Sequence, residues 1–139
     1  MKGRVLSVAG SDSGGGAGIQ ADIKTITALG GYAATAITAV TVQNTQGVLA
    51  VYQVPADVVA EQMRAVLSDI GADVIKIGML HTAAMINVVA TVIENDAVSI
   101  PVVLDPVMIA KGGHSLLESD AIEELKKRLM PISAVLTPN

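Results

Sequence analysis

The chain has no cysteine, no phenylalanine and no tryptophan, and its only aromatic residues are Tyr32 and Tyr52. Lack of cysteine excludes disulfides, thiolate nucleophiles and cysteine-based zinc sites. Scarce aromatics and a net charge of −4 argue against nucleic acid as a partner, since such binders need a basic face and often stacking rings. No apolar run reaches the roughly 18 residues of a membrane span. The first residues enter a strand without the basic and apolar regions of a signal peptide. A cytoplasmic protein with no nucleic-acid or membrane partner is expected. Histidine is scarce as well: His81 and His114 have no partners at metal-ligand spacing and read as surface residues.

What remains is aliphatic. Hydrophobic residues make up 51% of 139 positions, so the core must be built from Val, Ile, Leu, Ala and Met. That composition suits buried parallel strands, and the length suits one domain over residues 1–139.

The patterning alternates. Arg4–Ala9 reads as a strand and Ala17–Leu29 as a helix with Ile19, Ile23 and Ile26 on one face, ending at Gly30 and Gly31. Ala33–Val42 and Val48–Val54 read as strands joined by a turn over Asn44–Gly47. Pro55 opens a helix over Ala56–Ile70, with Val59, Met63, Val66, Leu67 and Ile70 aligned. Val74–Ile77 is a short buried strand, Thr82–Glu94 a helix with Met85, Val88, Val89 and Val92 aligned, and Val102–Leu104 the next strand. Ser119 or Asp120 would cap a helix through Leu129, supported by Glu123 with Lys127 and Glu124 with Arg128. Pro131 would stop it before a last strand, Ala134–Leu136. The fold class is therefore α/β, a mostly parallel sheet with helices on both faces. A chain stopping at Asn139, just after a strand, would leave the sheet incomplete at its C-terminal side, so the sequence reads as the N-terminal half of a longer polypeptide.

In such sheets ligands sit beyond the carboxyl ends of the strands. Those ends are Gly10–Asp12, Gln43 and Asn44, Gly78 and Met79, Asp105–Met108, and Thr137–Asn139. The richest is the glycine loop leading into Asp22, whose open backbone can turn free N–H groups toward a ligand or an anion. It is not a phosphate-binding loop of the Gly-Lys-Ser/Thr kind. Gly16 to Ala21 imitates a dinucleotide fingerprint, but the second strand ends in Gln43 and Asn44 rather than an acidic residue. A plain flexible turn is the remaining reading. Asp22 either flanks the apolar face and looks toward the sheet end, or is a solvated helical residue. Gln43 carries donors and an acceptor that can read an aminopyrimidine edge, or is a turn residue. Lys76, within an apolar strand, pairs with a carboxylate or reaches the sheet edge in a structural role. Asp105 approaches Mg²⁺ or a phosphate through water, or caps a turn. Lys111–His114 is a lid over the site or a loop.

Five segments in order carry a resemblance: Ala9–Thr25, Val42–Thr45, Lys76–Leu80, Val103–Met108 and Leu136–Asn139. Together they resemble the hydroxymethylpyrimidine/phosphomethylpyrimidine kinases of thiamine biosynthesis, across the whole chain. The one departure is an extra glycine where that family often has Pro-Ser-Gly-Gly, which should loosen the loop.

The resemblance implies a ribokinase-like fold and transfer of the ATP γ-phosphoryl, with Mg²⁺, to 4-amino-5-hydroxymethyl-2-methylpyrimidine and then to its monophosphate. It implies a pyrimidine pocket of Gly10, Asp22, Gln43, Met79 and Val107. Gln43 would hydrogen-bond the ring and its amino group, Asp22 would add polar contacts, and Met79 and Val107 would clamp the ring faces. Asp105 and Asn139 would lie toward the phosphates, with Asp105 near the metal through water. The family's anion hole and acid/base position would fall beyond Asn139, so no catalytic residue is expected within this chain, which alone would be inactive. A homodimer is implied too. Alternatives are a pyridoxal/pyridoxine kinase, a ribokinase-type sugar kinase, and a non-catalytic pyrimidine-binding module.

Overall fold

A computed structural model describes residues 1–109, 113 and 115–138. The strands are β1 (Arg4–Asp12), β2 (Tyr32–Asn44), β3 (Gly47–Gln53), β4 (Val74–Ile77), β5 (Val102–Leu104) and β6 (Val135–Leu136). The helices are α1 (Gly18–Ala28), α2 (Ala56–Asp69), α3 (Ala83–Asp96) and α4 (Ser119–Glu124). The strands form one sheet in the order β3-β2-β1-β4-β5-β6, parallel throughout except for the antiparallel β2–β3 hairpin. This is the α/β sheet that the alternation predicts.

Helices cover both faces, but unequally. Leu6 and Val8 of β1, Ile75 and Ile77 of β4, and Leu104 of β5 are fully buried against Val59 and Met63 of α2 and Met85, Ile86 and Val89 of α3. Each such side chain is worth roughly 1.5–3 kcal/mol out of water, so this face dominates the stability. The alternate residues of β1 point the other way, where Ser7 meets Asp22 of α1. That face is polar at its centre, and the aligned isoleucines of α1 do not all sink into it: Ile19 is buried but Ile23 is 38% exposed.

Several boundaries differ from the sequence reading. β1 runs on through Asp12 because β2 is long enough to pair with it, across a register shift between Ala9 and Ser11. The β2–β3 turn narrows to Thr45 and Gln46, since Asn44 pairs with Gly47 and its side-chain oxygen accepts from the Gln46 N–H at 2.9 Å. Neither Ser119 nor Asp120 caps α4. The Glu118 N–H is tied to the His81 carbonyl at 2.9 Å, the helix starts one residue sooner, and no side chain caps it. After Glu124 the helix widens into a π segment, Leu125–Leu129, and then tightens into a 3₁₀ turn, Met130–Ile132, containing Pro131. The wider turn changes the angular spacing of side chains. Lys126 takes Glu123 at 3.0 Å, and Arg128 turns to α3, reaching Glu94 at 2.9 Å and Asn87 at 2.6 Å. Thr82 accepts from the Met85 N–H and caps α3.

His81 is not a surface residue. It is half-buried, in a left-handed conformation (φ 73°), with Nδ1 2.9 Å from the Leu116 carbonyl. His114, and the Lys111–His114 loop apart from Gly113, lie outside the described residues. No described helix is long and apolar enough to cross a membrane.

Candidate active site

The carboxyl ends of β1, β2, β4 and β5 come together with the start of α1 around a cavity of about 350 Å³. Gly10, Asp22, Gln43, Met79, Asp105 and Val107 all line it, beside Asp12, Thr41, Lys76 and Leu116. Asn139 lies outside the described residues.

Gly10 is buried where β1 shifts register, and a Cβ there would sit 3.5 Å from the Met79 sulfur. The two residues thus share one wall of the cavity. Met79 is 8% exposed, and its carbonyl accepts from the Thr38 hydroxyl at 2.6 Å. Val107 follows a tight turn in which its N–H donates to the Asp105 carbonyl at 2.8 Å. Thioether and isopropyl groups give apolar walls of the kind a flat ring needs.

Asp22 is not a solvated helical residue: one oxygen, Oδ2, accepts from Ser7 Oγ at 2.6 Å and from Lys76 Nζ at 3.1 Å. Lys76 therefore pairs with a carboxylate, as its place in an apolar strand suggests, and it also lines the cavity. Gln43 Oε1 lies 3.0 Å from the Thr41 hydroxyl, whose single proton is shared with the Ser11 carbonyl at 2.9 Å, so the amide keeps both donor and acceptor capacity for a ligand.

Asp105 is anchored through its N–H, which donates to the Ile77 carbonyl at 2.9 Å. Its Oδ1 is buried without a hydrogen-bond partner among the described residues. Burial pushes the Asp105 carboxyl above its ordinary range; the positive charge of Lys76 opposes this, and the negative charge of Asp22 adds to it. No group of three or more His, Cys, Asp or Glu suited to a metal occurs among the described residues. An orphaned carboxylate oxygen fits a Mg²⁺ ion that keeps most of its waters, not an all-protein cage.

The glycine loop departs from expectation. Its N–H groups do not await an anion, because Asp12 takes them: Oδ1 accepts from Gly14 at 2.7 Å, and Oδ2 from Gly16 at 3.0 Å and Ala17 at 2.8 Å. The Gly15 N–H goes to the Asp12 carbonyl at 3.0 Å. The extra glycine does not leave the loop slack, since these bonds pin it. Asp12 was legible in principle: an Asp followed closely by glycines is the pattern of a side chain closing a turn on its own backbone. Thr41 and Ser7 carry no such mark, because a hydroxyl in an apolar strand gives no hint of its partner.

Residues 12–139 match the family described as phosphomethylpyrimidine kinase. A hydroxymethylpyrimidine/phosphomethylpyrimidine kinase of Mycobacterium leprae is 50% identical over 136 residues, covering 98% of this chain and 49% of its own. A crystal structure of phosphomethylpyrimidine kinase from Clostridium difficile superposes with a TM-score of 0.91 at 43% identity, over 98% of this chain and 58% of that one. The pyridoxal kinase of Staphylococcus aureus in complex with pyridoxal is 39% identical with a TM-score of 0.85, over 98% of this chain and 48% of that one. The chain spans half or less of the length of the curated relatives it matches. With a match running from the glycine loop through the last strand, on this sheet order, the chain belongs to the phosphomethylpyrimidine kinase family.

Proposed function

We propose that the polypeptide carrying this chain transfers the γ-phosphoryl of ATP to the hydroxymethyl group of 4-amino-5-hydroxymethyl-2-methylpyrimidine and then to its monophosphate, in thiamine biosynthesis. The observation that carries this reading is the cavity itself, which gathers one side-chain amide, Gln43, with the apolar groups of Met79 and Val107. The relatives' names supply the reaction; the cavity supplies a place for a small, flat, polar-edged ring.

Within this reading each residue has a task. Gln43 hydrogen-bonds the ring and its amino group: its amide N–H donates to a ring nitrogen, and its carbonyl oxygen accepts from the exocyclic amino group. Asp22 accepts from the amino group through Oδ1, which has no partner among the described residues, while Lys76 and Ser7 hold Oδ2. Gly10 lets the ring lie close to β1, and Met79 and Val107 exclude water from its faces. Asp105 and, by the resemblance, Asn139 are assigned to the phosphates. Asp105 would hold a metal-bound water, and Mg²⁺ would there neutralise charge on the transferred phosphoryl. The residues that complete phosphoryl transfer would come from the part of the polypeptide beyond Asn139, within the same domain. A cytoplasmic homodimer belongs to the same reading; the exposed Val40, Val42 and Tyr52 on the outer side of β2 and β3 form an apolar surface of the kind that marks an interface.

The pyridoxal complex of the Staphylococcus aureus relative favours a second reading, a pyridoxal kinase or an enzyme of both activities. The test is ATP turnover by the complete polypeptide on hydroxymethylpyrimidine, its monophosphate and pyridoxal in parallel. Turnover on both pyrimidines supports the proposal. Turnover on pyridoxal alone selects the second reading, and pyrimidine binding without turnover selects a non-catalytic module.

A further inference from the structure

Asp12 is 5% exposed, and the bonds of its carboxylate all run to the loop it begins. Its carboxylate stands just before α1, taking the N–H groups of Gly16 and of Ala17, the residue that precedes the helix. Its own N–H donates to Gln20 Oε1 at 2.8 Å, and Gln20 Nε2 donates to Ser11 Oγ at 2.7 Å, so the first turn of α1 closes back on β1. The next residue carries the constraint across to β2. Ser13 Oγ donates to the Gln43 carbonyl at 2.6 Å and accepts from the Gln43 N–H at 2.8 Å. One hydroxyl thereby imitates a rung of the ladder and clips the loop to the residue that faces the cavity.

We propose that Asp12 is a positioning residue for the pyrimidine cavity: it acts as an internal anion that fixes the glycine loop and, through Ser13, sets the place of Gln43. This rests on the reading of the cavity as a pyrimidine site. With the protein's own carboxylate on them, the N–H groups of Gly14, Gly16 and Ala17 are not left for a ligand's phosphate, and the loop serves to shape the cavity instead. A charge-assisted bond to backbone N–H is among the stronger hydrogen bonds, so three of them on one buried carboxylate hold the loop more firmly than a glycine-rich sequence otherwise allows.

The test uses the complete polypeptide with Asp12→Ala and Ser13→Ala. Asp12→Ala raises KM for hydroxymethylpyrimidine by about tenfold or more while kcat at saturation changes little, and formate at roughly tens of millimolar restores KM by replacing the carboxylate. Hydrogen exchange gives a readout that needs no substrate: the amides of Gly14, Gly16 and Ala17 lose protection in Asp12→Ala and regain it with formate. Ser13 is exposed, so Ser13→Ala keeps its melting temperature and still raises KM; this arm decides the matter if Asp12→Ala does not fold. Unchanged KM in Ser13→Ala, or a folded Asp12→Ala that formate rescues in neither readout, overturns the proposal. Amide protection that follows formate in a protein that neither binds nor turns over the pyrimidine overturns the reading of the cavity and leaves Asp12 as the loop's anchor alone.

Discussion

Asp105 keeps one carboxylate oxygen out of water with nothing among the described residues to bond it. Burial raises its pKa, and a raised folded pKa means that ionisation opposes folding. The cost is absent below the ordinary carboxylate value of 3.8 and grows as pH rises through the raised one. Asp105→Asn is therefore expected to raise the melting temperature at neutral pH, with the gain fading as pH falls toward 3.8. The same variant should lower kcat more than it weakens pyrimidine binding, since placing a metal-bound water matters most in the transition state. A melt series across pH and a steady-state assay check the two halves; normal turnover at saturating ATP and Mg²⁺ would reduce Asp105 to a turn residue. Asp73 has the opposite sign. Its side-chain and backbone hydrogen bonds from Arg4 lower its pKa to about 2. That contribution is present above 3.8 and is lost as pH falls toward about 2. Asp73→Asn should flatten the acid side of the stability profile across that window, with an effect that shrinks in salt because the pair is exposed. At this scale the sequence is readable where a polar residue interrupts an apolar pattern, as with Lys76 and Asp105. It is silent where a small hydroxyl gives no sign of its partner, as for Ser7 with Asp22, 15 residues away, and for Thr38 with the Met79 carbonyl, 41 residues away.

Among the elements, α1 and its entry are the most tightly specified. Gly18 begins the helix with φ +56°, and a Cβ there would collide with the Gly10 carbonyl. Gly18→Ala forces either the strained left-handed conformation or separation of α1 from β1. It is expected to cost about 1–3 kcal/mol or more, to lower the melting temperature, and to weaken pyrimidine binding because Gly10 lines the cavity. A thermal melt with a binding titration checks this; wild-type values for both would show that the loop relaxes freely. Element types were legible because apolar spacing follows the burial it produces: Val59 and Met63 of α2, and Met85, Val89 and Val92 of α3, are all buried. What was not legible depended on tertiary context. The π winding at Leu125–Leu129 arises where Leu125 and Leu129 are both driven into the core while Arg128 reaches α3. Local spacing alone favours an ordinary helix with Glu124 facing Arg128.

For the molecule as a whole, the order β3-β2-β1-β4-β5-β6 gathers the carboxyl ends of β1, β2, β4 and β5 around the cavity, with Asp12, Ala17 and Gly18 of the glycine loop and helix start in its lining. The alternation of elements made the fold class readable, and the rule that ligands sit at strand ends gathered Gly10, Gln43, Met79, Asp105 and Val107 before any contact was known. That rule could not say that the loop's N–H groups are already occupied, since this depends on the rotamer of Asp12. The chain spans about half the length of the hydroxymethylpyrimidine/phosphomethylpyrimidine kinases it matches, and Val135 and Leu136 of β6 are exposed. Residues 1–139 expressed alone are expected to transfer no phosphoryl group and to aggregate or melt without cooperativity, while adding the remaining segment in trans restores activity. A cooperative melt with ATP turnover from residues 1–139 by themselves would refute this. The central claim, that this cavity holds the pyrimidine through Gln43, is tested most directly by calorimetric titration of 4-amino-5-hydroxymethyl-2-methylpyrimidine into the complete polypeptide and its Gln43→Ala variant. Saturable binding to the wild type, weakened in the variant by about 1–3 kcal/mol, is the predicted result; equal affinities, or no binding to the wild type, would contradict it.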